Sequence, residues 1–314
     1  MSRSFRILPA LLAAVSCAGV LASASGCSGA ADAAAPSPAA TPTVLNSTAL
    51  RLPTADYQLS PDTSLQLSKA SELLISSCVK RYGLTFNGTP PTAKSGPATQ
   101  TEMRYGVTSP EQAKTTGYHF GPADQGYLPN SAPKKEAPEN TDPGYQLVLA
   151  GNGTPGKPGT ATTYHGQPVG PNGCAGEMHT KLQDGATFLG EAALVQQISD
   201  ESFADSMKVP AVQKVFEAWS TCMLAKGFHY ATPLDAVNDK AFGGPTASPT
   251  ELLTAQADVD CKQQGNVVGV WFTAEVDRQR ALMAPHAGEL ETIKNQMQAQ
   301  AAVFADVLRS GGAG

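Results

Sequence analysis

Carboxylates on the helical part of the chain are the first residues whose types could support catalysis. Glycoside hydrolysis needs two carboxyl groups that face each other across a cleft. The candidates lie on or beside predicted helices, or flank a cysteine: Glu177, Glu191, Asp200, Glu201, Asp205, Glu217, Asp258 and Asp260. Acidic residues on helix faces are usually solvated, and the spacing favours no particular pair. A Gly-x-Ser-x-Gly nucleophile motif is absent from the sequence. We therefore assign no catalytic residue.

Histidine and cysteine side chains could bind zinc or supply a thiol nucleophile. Cys174 with His179 and Cys222 with His229 are the pairs nearest in sequence. Both functions need free thiolates, whereas an even number of cysteines in an exported protein favours disulfides. The chain also has no two histidines at the spacing of metal ligands. The histidines are His119, His165, His179, His229 and His286. The sequence therefore predicts neither a metal site nor a cofactor.

A glycine-rich segment partly fits a phosphate-binding loop. The run Gly151-Asn-Gly-Thr-Pro-Gly156-Lys157 satisfies the first seven positions of that motif. The eighth position should be Ser or Thr to hold magnesium, but it is Pro158, and no predicted strand precedes the run. We interpret the segment as a surface loop.

The first 27 residues have the features of an export signal. Two arginines precede an apolar run from Ile7 to Ala22, and small residues lead to Cys27. A cysteine directly after small residues resembles a bacterial lipobox, with Ala24 where such boxes usually carry Leu. We expect removal of residues 1–26 and a diacylglyceryl group on Cys27, because two acyl chains anchor stably. The protein is then lipid-anchored at the outer face of the cytoplasmic membrane.

Charge and length limit the other partners. The chain without residues 1–26 has 20 basic and 27 acidic residues. A net acidic surface argues against nucleic acid and against anionic lipid headgroups. No later apolar run approaches the roughly 18 residues of a membrane span. Attraction to the membrane must therefore come from the lipid.

Composition divides the remaining chain into two parts. Residues 27–56 are small and interrupted by proline, which predicts a disordered tether. Residues 57–311 predict a mainly α-helical extracytoplasmic domain, stabilised by disulfides and carrying long irregular loops. The irregular part covers most of residues 84–172, which are rich in Pro, Gly, Asn and Thr.

Four cysteines remain once Cys17 is assigned to the signal and Cys27 to the lipid: Cys78, Cys174, Cys222 and Cys261. In an oxidising compartment they predict two disulfides, for which three pairings are possible. We favour Cys78 with Cys174 and Cys222 with Cys261, because the second pair lies on neighbouring predicted helices.

Capping signals and apolar spacing predict the helices. Ser60-Pro61 is typical of a helix start, and Ser248 with Glu251 predicts a capping box. The predicted helices cover residues 61–82, 109–116, 143–150, 174–182, 189–207, 210–226 and 248–264, followed by a long helix from Val267 that breaks near Pro285 and Gly288.

Apolar stripes on these helices predict the core. Trp219 and Trp271 lie within such stripes, so we expect them to be buried rather than to bind a glycan or a partner. The helix over 248–264 is expected to bury Leu252, Leu253, Ala257 and Cys261.

A short pattern occurs twice along the chain. Cys78 is followed five residues later by Gly83, then by an apolar and an aromatic residue, and Cys222 with Gly227 repeats this order. Each copy predicts a helix whose last turn carries a disulfide cysteine and whose end is a left-handed glycine. The alternatives are chance recurrence and a duplicated helix pair, with copies over about 57–185 and 186–311.

The residues around the second copy also carry a family resemblance. Trp219-Ser-Thr-Cys222, Ala257-Asp-Val-Asp-Cys261 and the segment ending at Trp271 resemble uncharacterised secreted lipoproteins of high-GC Gram-positive bacteria. The resemblance implies an envelope location, and it implies no activity.

These observations lead to three hypotheses about function. The first is a non-enzymatic envelope module that binds another protein or cell-wall glycan. The second is a cell-wall (peptidoglycan) hydrolase or modifying enzyme whose carboxylates converge only in the folded chain. The third, the binding component of an importer, usually alternates strands and helices, and the chain shows no run of strands. We expect the first.

Overall fold

The computed structural model describes residues 40–88, 99–119, 142–153, 157 and 159–312. These residues belong to one compact unit, and the prediction of a mainly helical, disulfide-containing fold is confirmed. The signal segment 1–26 and the expected lipid site Cys27 lie outside the described residues. None of the helices in the described ranges combines the length and the apolar content that crossing a bilayer requires.

The secondary structure follows the predicted order. The helices are α1 (Pro61–Arg81), α2 (Pro110–Thr115), α3 (Tyr145–Ala150), α4 (Gly173–Gln183), α5 (Ala193–Ser206), α6 (Pro210–Ala225), α7 (Pro233–Val237), α8 (Pro249–Gln264), α9 (Val267–Met283) and α10 (Ala287–Ser310). Short 3₁₀ turns occupy Ser47–Ala49, Pro53–Tyr57, Lys240–Phe242 and Ala284–His286. The last of these contains Pro285 and separates α9 from α10, which confirms the predicted break.

Side-chain caps begin several helices at the predicted residues. The Ser60 hydroxyl accepts a hydrogen bond from the Thr63 amide at 3.1 Å, and the Ser248 hydroxyl accepts one from the Glu251 amide at 3.2 Å. Each cap satisfies an amide that the first turn leaves without a helical partner. Local sequence therefore fixes where α1 and α8 start.

Three local features differ from the prediction. Helix α5 begins at Ala193 rather than Leu189, because Gly190 has a φ of +82° and Ala192 is extended. The short helix α7 was not predicted. Neither was the antiparallel hairpin of β1 (Thr162–Tyr164) and β2 (Gln167–Val169), in which Thr163 faces Pro168.

The predicted tether is too long. Residues 40–56, within the expected disordered segment 27–56, lie against the helices, where Leu52 and Thr54 are buried. The Thr54 amide donates to Gln279 Oε1 at 3.0 Å, and the Val44 amide donates to Asn266 Oδ1 at 3.2 Å. Composition missed this because side chains distant in sequence satisfy the backbone of the segment.

The largest part of the core surrounds Trp271 on α9, and the prediction that both tryptophans are buried is confirmed. The Trp271 ring stacks on Phe203 at a centroid distance of 5.3 Å and meets Tyr105 and Phe216 edge-on at 5.1 and 4.9 Å. Its indole N–H donates to the Ser206 hydroxyl at 2.8 Å. Buried indoles usually need such an acceptor.

Two disulfides join the helices in the pairing favoured from the sequence. Cys78 on α1 is bonded to Cys174 on α4, and Cys222 on α6 is bonded to Cys261 on α8. The Cα atoms of each pair lie 5.6 and 5.8 Å apart.

The helices that carry Cys78 and Cys222 end in the same way. Gly83 and Gly227 have φ values of +74° and +90°. Beyond each glycine, the Leu84 amide donates to the Val79 carbonyl and the Phe228 amide donates to the Met223 carbonyl. This is the Schellman arrangement at both sites. The two copies of the pattern therefore have the same local structure.

The two halves of the proposed duplication do not pack separately. Helix α1, from the first half, contacts both α4 and the C-terminal helix α10. Helix α2, also from the first half, contacts α8. The core is therefore shared across residue 185.

Candidate functional site

The inner face of α8 carries charged groups beside the predicted Ala257 and Cys261, which are buried, while Leu252 is half-buried. Glu251, Asp258 and Lys262 are at most 1% exposed, whereas Leu253 is 61% exposed. The expectation that Leu253 is buried is therefore wrong. The charged face turns inward because residues 107–119 pack against it and supply polar partners.

Asp258 and Lys262 form an ion pair one turn apart, fully removed from solvent. Lys262 Nζ lies 2.9 Å from Asp258 Oδ2 and also donates to the Val107 carbonyl at 2.9 Å. The other carboxylate oxygen, Oδ1, accepts a hydrogen bond from the Trp219 indole at 3.0 Å. Burial raises the pKa of Asp258, although Lys262 and the indole lower it in part.

Glu251 binds the end of the segment that leads out of α2. Its Oε1 atom accepts from the Tyr118 amide at 2.9 Å and lies 2.8 Å from His119 Nδ1. His119 Nε2 lies 2.8 Å from the Gly244 carbonyl, which can only accept, so Nε2 carries a hydrogen. The predicted capping box therefore forms only in part, because the Glu251 carboxylate turns toward Tyr118 and His119.

The Tyr118 hydroxyl is influenced by the charges of both Asp258 and Glu251. The side chain is 7% exposed and stacks on Phe242 at a centroid distance of 5.6 Å. Its hydroxyl oxygen is buried without a hydrogen-bond partner among the described residues, as is Glu251 Oε2. Burial, followed by the charge of Asp258, raises the Tyr118 pKa far above its usual value. The hydroxyl therefore keeps its proton.

A second buried network holds the same segment to α9. Glu275 is 0% exposed and accepts from Arg104 Nε at 2.7 Å and from the Tyr105 hydroxyl at 2.8 Å. Arg104 also donates to the Ser199 carbonyl at 2.7 Å and lies 4.8 Å from the centroid of the Phe203 ring. Burial and the Glu275 charge raise the Tyr105 pKa.

Both networks join an irregular segment to a helix, and both face inward. Residues 99–119 contribute Arg104, Tyr105, Tyr118 and His119, while α8 and α9 contribute the carboxylates. Unpaired buried charges are strongly destabilising, so these contacts are needed for the segment to stay folded. The carboxylates of both networks are buried and contact other parts of the protein rather than solvent.

The structure places the remaining candidate carboxylates on the surface. Glu177 pairs with Arg81, Asp205 with Lys208 at 2.8 Å, and Asp260 with Lys226 at 3.2 Å. Exposed pairs of this kind contribute at most about 1 kcal/mol. Glu201 and Glu217 are exposed.

Glu191 differs from the other surface carboxylates. Burial, and then the charge of Asp200, raise its pKa, while a 3.3 Å hydrogen bond from Gln58 Nε2 lowers it. Asp200 accepts from Gln196 Nε2 at 2.8 Å. Glu191 and Asp200 are therefore acidic groups close enough to influence each other at the surface.

No three His, Cys, Asp or Glu side chains gather to hold a metal within the described ranges. The four cysteines are consumed in disulfides, so neither Cys174 nor Cys222 supplies a thiolate. His165, His179 and His229 are exposed.

A surface cavity of about 460 Å³ lies beside the start of α4. It is lined by Gly170, Pro171, Asn172, Gly173, Gly176, Glu177, Thr180 and Lys181. Of the glycine-rich run predicted to be a surface loop, residues 154–156 and Pro158 lie outside the described residues, and Lys157 is exposed.

Sequence reasoning missed both buried networks. Glu251, Asp258 and Lys262 are spaced by seven and four residues, which places them on one helix face. Trp271 and Glu275 on α9 show the same four-residue spacing. This spacing was the available signal, but charged residues are normally assumed to be solvated. Their partners lie in a segment that has no periodic pattern.

Comparisons with known proteins give no match: no family model, no curated protein and no solved structure is significantly similar to the chain.

Proposed function

We propose that the protein is a lipid-anchored, non-enzymatic module of the cell envelope that binds another envelope protein or cell-wall glycan. The two disulfides are consistent with an extracytoplasmic location. The export signal, the cysteine after Gly26 and the resemblance to secreted lipoproteins of high-GC Gram-positive bacteria support the anchor.

One observation supports the absence of catalysis above all. Asp258, Glu251 and Glu275 are the buried carboxylates of the described chain. Tyr118 binds Glu251 and Arg104 binds Glu275, while Asp258 binds Lys262, which in turn donates to the Val107 carbonyl. Groups used in this way hold a surface segment in place instead of facing a substrate. A segment that is already ordered loses less conformational entropy when it binds a partner.

The anchor is tested by replacing the acylated sulfur. We expect Cys27→Ser to move the protein from the membrane fraction to the medium. Cys17→Ser is the matched control, because that cysteine lies in the segment expected to be removed, and this variant should remain in the membrane fraction. Retention of the Cys27→Ser protein in the membrane would refute lipid anchoring.

The binding function is tested with purified cell-wall sacculi and with cross-linking in intact cells. We expect the mature protein either to sediment with the sacculi without releasing soluble fragments, or to be cross-linked to one specific envelope protein. Release of wall fragments by the purified protein would contradict a non-enzymatic function.

A second function, hydrolysis of cell-wall glycan, has one observation in its favour. Glu191 has a raised pKa beside Asp200, as a general acid requires. Under this hypothesis Glu191→Gln abolishes release of wall fragments, whereas Glu201→Gln, which changes an exposed glutamate on the following helix α5, leaves it unchanged. Equal activity of the two variants would exclude Glu191 as the acid.

A further inference from the structure

We propose that Asp258 and Lys262 are a site of self-modification, at which the Lys262 amine and the Asp258 carboxyl group condense to an intramolecular amide bond with loss of one water molecule. The two residues lie on the buried face of α8, and the proposed reaction does not depend on which partner the protein binds.

The two reacting groups are already held together. Lys262 Nζ lies 2.9 Å from Asp258 Oδ2, and both side chains have 0% exposure. Positions four residues apart on a helix bring such side chains onto the same face. Holding a nucleophile and an electrophile in contact replaces a bimolecular encounter with a step inside one molecule.

The surrounding groups match the demands of amide formation. The Trp219 indole N–H, 3.0 Å from Asp258 Oδ1, is placed to stabilise negative charge that develops on that oxygen. The Tyr118 hydroxyl is buried without a well-formed hydrogen bond to any described residue, and its pKa is raised first by burial and then by the charge of the nearby Asp258. It can relay a proton to the departing oxygen.

The step balances without an oxidant or a co-reactant. One proton passes from the Lys262 ammonium to Asp258 Oδ2, which gives a neutral amine and a neutral acid. Nζ then attacks Cγ, and the bond from Cγ to Oδ2 breaks. A second proton from Nζ, relayed by Tyr118, completes the water that leaves. The third proton stays on the amide nitrogen.

The product keeps the hydrogen bonds of the ion pair. The amide N–H can donate to the Val107 carbonyl, which already accepts from Nζ at 2.9 Å. The amide oxygen, formerly Oδ1, still faces the Trp219 indole. Burying two charges is unfavourable, whereas a neutral amide with both hydrogen bonds satisfied has a much smaller desolvation penalty. Exclusion of solvent from the site also disfavours hydrolysis of the bond.

Trypsin provides a direct test on the purified mature protein, because it cuts after lysine only where the amine is free. After reduction and alkylation of the disulfides, an unmodified chain gives separate peptides 241–262 and 263–278. We expect instead one uncut peptide, 241–278, lighter than its sequence by one water. Recovery of the two separate peptides at their full masses would overturn the proposal.

Variants separate amide formation from poor cleavage at this site. Asp258→Ala removes the electrophile and should restore cutting after Lys262, and Lys262→Arg keeps the charge but should also be cut. The surface pair of Asp205 and Lys208 is the internal control: its N–O distance is 2.8 Å, against 2.9 Å in the buried pair, and the chain should be cut normally after Lys208 in every digest. Resistance that persists in Asp258→Ala would refute the amide. Because all digests use denatured protein, a variant that folds poorly still gives a result.

Discussion

Two regions of the protein share a helix end and a disulfide but differ in what surrounds them. The Cys78 region is the small cluster of buried side chains around the first disulfide: Cys78, Val79, Tyr145, Val148, Val169 and Cys174. The Cys222 region is the larger cluster around Trp219 and Trp271, which includes Cys261 and the inner faces of α6, α8 and α9. In both regions, the helix that carries the first cysteine ends in a Schellman motif at a glycine.

The difference lies in what holds the irregular chain beside each helix. In the Cys222 region, segment 99–119 is held by buried ion pairs and by aromatic packing on Trp271. In the Cys78 region, the described contacts to segment 142–172 are a few apolar side chains and hydrogen bonds such as that from the Tyr82 hydroxyl to the Pro168 carbonyl, at 2.7 Å. We infer that the disulfide matters more for local stability in the smaller region.

Breaking a buried ion pair of the Cys222 region should have an effect as large as that of removing a disulfide. Glu275→Ala leaves Arg104 largely buried without its carboxylate, so we expect a loss of about 3–5 kcal/mol in the free energy of unfolding. Urea denaturation of this variant and of Glu217→Ala, an exposed glutamate on α6, measures it. A loss below about 1 kcal/mol, the range of exposed pairs, would show that the network contributes little.

Removing each disulfide in turn tests the comparison directly. Replacing Cys78 and Cys174 by Ala opens a sequence separation of 96 residues, and replacing Cys222 and Cys261 opens one of 39. The loop-entropy model gives losses of about 4.7 and about 4 kcal/mol, within a usual range of about 2–5 kcal/mol.

The two double variants should differ most in local amide exchange. We expect loss of the first disulfide to remove protection from α3 and α4 while α8 and α9 stay protected. Loss of the second disulfide should lower amide protection by a similar amount in all of these helices. The opposite pattern, with local opening only in the Cys222 region, would reverse the comparison.

The helix ends are where the two regions should behave alike. Gly83→Ala and Gly227→Ala each place a Cβ on a left-handed residue with no neighbouring atom within 4 Å. We expect each to lose about 1–2 kcal/mol in thermal or urea unfolding. Gly288→Ala, in the first turn of α10 with open space around it, should lose nothing. If the stability losses of Gly83→Ala and Gly227→Ala differed greatly, the two copies of the pattern would not contribute equally to stability.

The smallest expected effect is a pH dependence at Asp239, whose partner Tyr230 packs against the Cys222 region. Hydrogen bonds from the Tyr230 hydroxyl at 2.7 Å and from the Ala241 amide at 2.9 Å lower the pKa of Asp239. A lowered pKa means that the stabilisation is complete above the ordinary value of about 3.9 and is lost as pH falls through the folded-state value. Asp239→Asn should therefore flatten the fall in stability that begins below about pH 4. Tyr230→Phe should flatten it in part, and an unchanged slope in both variants would contradict the assignment.

Several features follow from the sequence alone. Ser60, Ser248 and the glycines after Cys78 and Cys222 mark helix ends correctly, because a cap depends on residues within one turn of it. Pro285 breaks the last helix for the same local reason. The even number of cysteines predicted two disulfides, and the position of Cys222 and Cys261 on neighbouring helices favoured, among three possible pairings, the one that the structure shows.

Other features were decided only by the tertiary structure. Helix α8 turns Glu251, Asp258 and Lys262 inward and Leu253 outward because partners from residues 107–119 satisfy the charges. Residues 40–56 lie on the helices because Gln279 and Asn266 bind their backbone. In both cases the stabilising partner is far away in sequence. Because the free energy of such a contact depends on both segments together, neither segment alone predicts it.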